Sequence, residues 1–189
     1  MIRLLQSVLL LMIMVIATPS LAQQTGDVSY NPNLVKDTTK KSIKSRAVGV
    51  IKGDTVQIDY YSPGVRGRII WGGLVPYDDV WVTGAHSATY VTIGKPFVVN
   101  GTNIPAGKYG FFTIPGKDEW TLILNRNWDQ HLADDYDPKD DIVRVTVKPI
   151  QVSHTERLQY FVEPGKGNKF VLAVAWGNVR VEMVFELKG

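Results

Sequence analysis

From about Ala47 onward, apolar and polar side chains alternate with a period of two. Val56, Ile58 and Tyr60 interleave with Thr55, Gln57 and Asp59. Val143, Val145 and Val147 interleave with Arg144, Thr146 and Lys148, and Leu158, Tyr160 and Val162 with Arg157, Gln159 and Phe161. Near the C-terminus Val179, Val181, Met183, Phe185 and Leu187 share one face, while Arg180, Glu182 and Glu186 share the other. Alternation of this kind predicts strands with one face on a core and one toward water. Phe170–Trp176 is apolar at nearly every position, which predicts a central strand covered on both faces. Between the runs stand turn formers: Lys52-Gly53-Asp54-Thr55, Val99-Asn100-Gly101-Thr102, Ile114-Pro115-Gly116-Lys117 and Trp176-Gly177-Asn178-Val179. Glycine and asparagine supply the positive φ that tight hairpins need. His154 falls in the turn-like Val152–Thr155 and reads as surface. No long stretch keeps helical period; the best short-helix candidate is Trp128–Ala133. The expected fold is all-β, a single antiparallel β-sandwich of jelly-roll-like form, with a closed β-barrel as the alternative.

The alternation does not extend to the N-terminus. Met1-Ile2-Arg3 carries one positive charge, Leu4–Ala17 is almost wholly apolar, and Pro19-Ser20-Leu21-Ala22 ends in small residues. Together these predict a secretory signal peptide over residues 1–22; the apolar stretch falls short of the ~20 residues of a spanning helix. Residues 23–45 are polar, with Lys36, Lys40, Lys41 and Lys44, and read as a mobile leader to a domain over 46–189. Removing 22 of 189 residues leaves 167, enough for one domain. The expectation is an exported protein, periplasmic or extracellular, with no membrane span after cleavage. The formal charge of +3 falls to +2 when Arg3 leaves, too weak to argue for a nucleic-acid partner. The chain has no cysteine, which excludes a disulfide scaffold and a lipid anchor on a mature N-terminal cysteine.

Few residues point to chemistry. His86 and His131, with one of Asp129, Asp134 or Asp135, offer the nitrogen and oxygen donors of a zinc site, and so of a metal-dependent hydrolase, though no HExxH pattern is present. Asp134, Asp135, Asp137, Asp140 and Asp141 offer oxygens to calcium without an EF-hand arrangement; the alternative is a solvated acidic loop. No nucleophile elbow or phosphate loop is present. Of the five tryptophans, Trp120 and Trp176 sit in apolar runs and read as core. Trp128, beside Asn127 and Asp129, is the candidate for an exposed ring that stacks on a sugar. Arg66 and Arg68 lie among Gly64, Gly67, Gly72 and Gly73 and provide fork donors for a carboxylate. The plainer reading makes that stretch a twisted edge strand whose arginine bridges to the acidic loop.

Three long segments together resemble a known family: Tyr60–Tyr77 (YYSPGVRGRIIWGGLVPY), Val80–Thr89 (VWVTGAHSAT) and Ile104–Trp120 (IPAGKYGFFTIPGKDEW). They are similar to bacterial domain-of-unknown-function family 2911, a set of exported proteins, from about Ser45 to the C-terminus. The resemblance implies export but no activity. The common pattern reads Y-S-R-P and W-R-T-G-A-N-E-A-T. Here Ser62 and Val82 stand in place of the two arginines, and His86-Ser87 in place of Asn-Glu. The expected function is a non-catalytic module for a small molecule or glycan, built from loops near Arg66, Arg68, His86, Trp128, His131 and Asp135. A metal-dependent hydrolase using His86 and His131 and a structural envelope protein are the alternatives.

Overall fold

The computed structural model describes residues 28–30 and 40–189. The signal-peptide reading falls on residues 1–22, outside the described residues. Eleven strands run β1 (Val28–Tyr30), β2 (Ser42–Ile51), β3 (Asp54–Pro63), β4 (Tyr90–Ile93), β5 (Phe97–Val99), β6 (Thr102–Ile104), β7 (Gly107–Ile114), β8 (Trp120–Asn125), β9 (Asp141–Val147), β10 (Ile150–Pro164) and β11 (Lys169–Leu187). They form a seven-stranded sheet, β1-β2-β3-β4-β7-β8-β9, and a four-stranded sheet, β10-β11-β5-β6. Every pairing between these strands is antiparallel. The two sheets stack as a sandwich, and neither closes on itself, so the barrel alternative is not realised among the described residues.

The period-two pattern places the core. Val56, Ile58 and Tyr60 of β3, Leu158, Tyr160 and Val162 of β10, and Val181, Met183, Phe185 and Leu187 of β11 are all buried. Rings interlock across the sheets: Tyr60 on Tyr160 at 4.8 Å, Phe111 on Tyr160 at 5.8 Å, Phe97 on Tyr109 at 5.7 Å. Phe170–Trp176 lies in β11 and pairs with β10, and all of it but Val171 is buried, so both of its faces are covered. On the outward face Arg180 instead bridges Glu163 and Glu182.

Two predicted turns form as two-residue hairpins. Lys52-Gly53 (φ 52° and 84°) joins β2 to β3, and Asn100-Gly101 (φ 46° and 77°) joins β5 to β6. Positive φ at both central residues is the type I′ geometry.

Four expectations need correction. Gly177-Asn178 is not a hairpin turn, because β11 runs unbroken through it. Gly177 (φ 58°) instead faces Thr155 where the β10 register shifts on both sides, so its positive φ serves an irregularity within one long strand. Trp128–Ala133 forms no helix; the one helical turn among the described residues is a 3₁₀ turn at Pro138–Asp140. His154 lies within β10 rather than in a turn, although it is exposed as expected. The sheet also begins earlier than the leader boundary at 45: β2 starts at Ser42, and Val28–Tyr30 pairs with Arg46–Val48.

Candidate functional site

Between β3 and β4 the chain leaves the large sheet at Gly64 and rejoins it at Tyr90. This excursion contains the glycine-rich stretch, which is a series of turns rather than an edge strand. Arg68 N–H donates to Val65 O (3.0 Å), Val75 N–H to Ile70 O (2.9 Å) and Gly72 N–H to Val75 O (2.9 Å). Trp81 then exchanges two backbone hydrogen bonds with Thr113, at 2.8 and 2.9 Å, alongside β7. Folding back in this way brings Trp71 and Trp81 against Trp120 of β8 and Trp176 of β11. Trp71 meets Trp120 edge-on at 4.7 Å, and Trp81 stacks on Trp176 at 5.8 Å with an interplanar angle of 20°. Offset and edge-on pairs of this kind add stability beyond area burial.

Beside this tryptophan cluster lies a cavity of about 320 Å³, within the usual size range of small-molecule sites. Trp81, Val82, Trp176 and Val75 give it an apolar lining, Pro63 closes in from the end of β3, and Gly84 and Ala85 from the excursion. Leu74 and Leu132 stand at it although 46% and 40% exposed. Lys41, Arg68 and His86 are its charged or titratable side chains.

Backbone strain gathers here. Thr83 (φ 50°), His86 (φ 63°) and Leu132 (φ 47°) all occupy the left-handed region. A β-branched threonine is seldom found there. Each such residue costs on the order of 1–3 kcal/mol and persists only when its surroundings over-determine it. Thr83 meets that condition. Its hydroxyl donates to Trp81 O (3.2 Å) and pairs with the Thr113 hydroxyl (3.0 Å), and its carbonyl accepts from Tyr160 Oη (2.8 Å) and Thr89 Oγ1 (3.2 Å). Burial pushes the Tyr160 phenol well above its ordinary value, so it remains a neutral donor. Leu132 is held by its N–H to His86 O (2.7 Å), beside a bridge between Ser87 and His131.

The other candidates fall in several places. Arg68 donates through Nε to Val65 O (3.1 Å) and through Nη2 to Gly64 O (2.5 Å), which seats it on its own loop; it does not bridge to the acidic loop. The Arg66 amide donates to Glu156 Oε1 at 2.9 Å. That bond, followed by the His154 ring at 3.2 Å, lowers the Glu156 carboxyl below its usual value.

Trp128 is half-buried rather than fully exposed. It packs on Tyr90 at 5.1 Å, and the Lys108 ammonium sits 4.5 Å from its ring centre. With Asp129, Asp59 and Tyr61 it lines a second hollow of about 170 Å³. The Tyr61–His86 ring contact, 5.0 Å between centres, stands between the two hollows. Asp59, buried beneath that hollow, was not among the sequence candidates. It accepts from Arg46 Nε (2.7 Å) and Gln57 Nε2 (2.6 Å). Desolvation, and then the charge of Asp59, raises the Tyr90 phenol.

The metal readings find no geometric support. Among the described residues no group of three or more His, Cys, Asp or Glu lies close enough to hold an ion. His131 Nδ1 pairs with Asp134 (2.9 Å) in an exposed turn, and His86 packs on Tyr61. Two of the loop's carboxylates are engaged in building the loop. Asp137 caps the 3₁₀ turn through Lys139 N–H, and Asp141 accepts from Asn125 Nδ2 (2.8 Å), Tyr136 Oη (2.7 Å) and Arg144 Nε (2.7 Å). Asp135 accepts from Asn127 only through its backbone carbonyl, at 3.3 Å.

Of the eight candidate side chains, Arg68 joins the large cavity together with His86, and Trp128 joins the second hollow together with Asp129. Lys41, Trp81, Val82, Leu132 and Trp176 also line the large cavity. Composition marked Lys41 as leader and Trp176 as core, and nothing in the local pattern signals that both line one cavity. Val82 and His86 are two of the four departures from the family pattern noted above.

Comparison with curated proteins and with solved structures finds no match. The family described as "Protein of unknown function (DUF2911)" matches residues 42–185, from the start of β2 to Phe185 near the end of β11. By that match, covering most of the sequence, the chain belongs to family DUF2911.

Proposed function

We propose that this protein is an exported, non-catalytic module that binds a small ligand in the cavity beside the tryptophan cluster. The observation that carries the reading is the coincidence, at one place, of an apolar-aromatic cavity, two partly exposed leucines and three left-handed non-glycine residues. Strain of this sort, held by the surrounding structure, clusters at active sites and ligand clamps. An apolar cavity with a few polar groups at its edge is the common form of a small-molecule site. The export half of the reading rests on the charged, apolar and small-residue pattern of residues 1–22.

A thermal-shift screen tests the binding half. Apolar acids, sugars and short peptides are compared on the wild type and on Ala85→Phe, which puts a ring into the cavity. Bound ligand stabilises by mass action, so a true ligand raises the melting temperature of the wild type and not of the variant. A screen in which no compound shifts the wild type, or in which the variant responds equally, contradicts the proposal. Cell fractionation tests the other half. It is expected to recover a product beginning at Gln23 outside the cytoplasm, and a full-length product retained within it contradicts export.

A further inference from the structure

We infer that the ligand of this cavity is an apolar carboxylate of about ten to fifteen non-hydrogen atoms; the inference rests on the binding reading above and specifies its chemistry. The cavity's polar side chains are unbalanced in sign. Lys41 and Arg68 line it, His86 joins them, and no Asp or Glu is among its lining residues. Neither Lys41 nor Arg68 has a carboxylate within ion-pair distance among the described residues.

Arg68 is also set in place. Two backbone carbonyls hold its Nε and Nη2, leaving three of its five N–H donors for a partner. A planar guanidinium fixed in this way suits the two oxygens of a carboxylate. Apart from the Ser42 hydroxyl, the side chains of the remaining wall are apolar, Trp81, Val82 and Trp176 among them, with Leu74 and Leu132 partly exposed, which matches a hydrocarbon or aryl body. Size agrees with this: about 320 Å³, at roughly 20–30 Å³ per heavy atom, holds a body of that many atoms. A neutral apolar compound leaves the cations without partners, and a cationic one meets like charge.

The test is titration calorimetry of the mature chain with four probes. 2-Naphthoate and decanoate are the aromatic and aliphatic acids, and 2-naphthamide and 2-naphthylmethylamine keep the aryl body while changing the charge. At least one acid is expected to bind about tenfold or more tighter than the amide, with no binding of the amine; which acid is tighter decides between aryl and alkyl bodies. Raising salt from about 20 to 500 mM is expected to weaken the acid and leave the amide unchanged. Arg68→Gln is expected to cost the acid about tenfold. Lys41→Ala, at an exposed side chain, is expected to cost it about threefold. If the amide binds as tightly as both acids, or neither variant alters acid affinity, the carboxylate class is wrong while the cavity remains a binding site. If no probe binds at millimolar concentration and the thermal-shift screen is also empty, the binding reading itself is overturned, and this inference with it.

Discussion

Tyr136 shows how a single side chain organises the acidic loop. Its hydroxyl donates to Asp141 (2.7 Å) and accepts from Arg144 Nη2 (2.9 Å), and burial, followed by the Asp141 hydrogen bond, pushes its pKa up to about 12. A phenol whose folded pKa lies above its ordinary value of 10 binds its proton more tightly in the native state. The resulting stability is fully present below pH 10 and is lost as pH rises through 10 to about 12. Tyr136→Phe is therefore expected to lower stability at pH 8 by about 1–2 kcal/mol and to flatten the decline above pH 10. Urea midpoints measured at pH 8, 10 and 11.5 check both effects; an equally steep alkaline decline in the variant would show that other groups cause it. Thr83 plays a comparable part at the cavity. Thr83→Ala leaves the buried Thr113 hydroxyl without its partner, and a loss of about 1–3 kcal/mol is expected in the same urea assay. A loss within error would mean that the left-handed backbone is held by other contacts.

At the scale of elements, the sandwich depends on close approach between sheets. Gly49 of β2 lies against Val162 of β10, and a Cβ added there would overlap the Val162 side chain. Gly49→Ala is expected to cost about 1–3 kcal/mol by overpacking. Gly94→Ala, at a position open to solvent with nothing nearby, is expected to be neutral or slightly stabilising. Equal thermal midpoints for the two variants would contradict this account of the interface. The strands themselves were legible in the sequence because one face of each is dry: Val56, Ile58 and Tyr60 and Val181, Met183, Phe185 and Leu187 are all buried, although Asp59 on the opposite face of β3 is buried as well. Lys52-Gly53 and Asn100-Gly101 were legible because a two-residue hairpin demands their φ values. Gly177-Asn178 misled for the same reason. Positive φ serves a bulge as well as a turn, and which one it serves depends on the partner strand, far away in sequence. Trp128–Ala133 misled because a short polar-aromatic segment carries little periodic signal, and its backbone bonds go to His86 and Ala88 instead.

At the scale of the whole molecule, the cavity is a product of topology. It joins the start of β2, the β3–β4 excursion, the turn at Leu132 and the middle of β11, which no local pattern relates to one another. Arg68 and His86 could be singled out by residue type. Lys41, Trp81 and Trp176 could not, since a leader lysine and two tryptophans look the same whether or not they share a cavity. The five indoles report directly on the claim that ligand binds here, because Trp81 and Trp176 line this cavity while Trp128 lines the other hollow. The most direct measurement is a ¹⁵N-edited NMR titration of the indole N–H signals with 2-naphthoate, each assigned by Trp→Phe substitution. The account predicts that the Trp81 and Trp176 signals move with a saturating dependence while Trp128 stays in place; movement of Trp128 alone, or of none of the five, would contradict it.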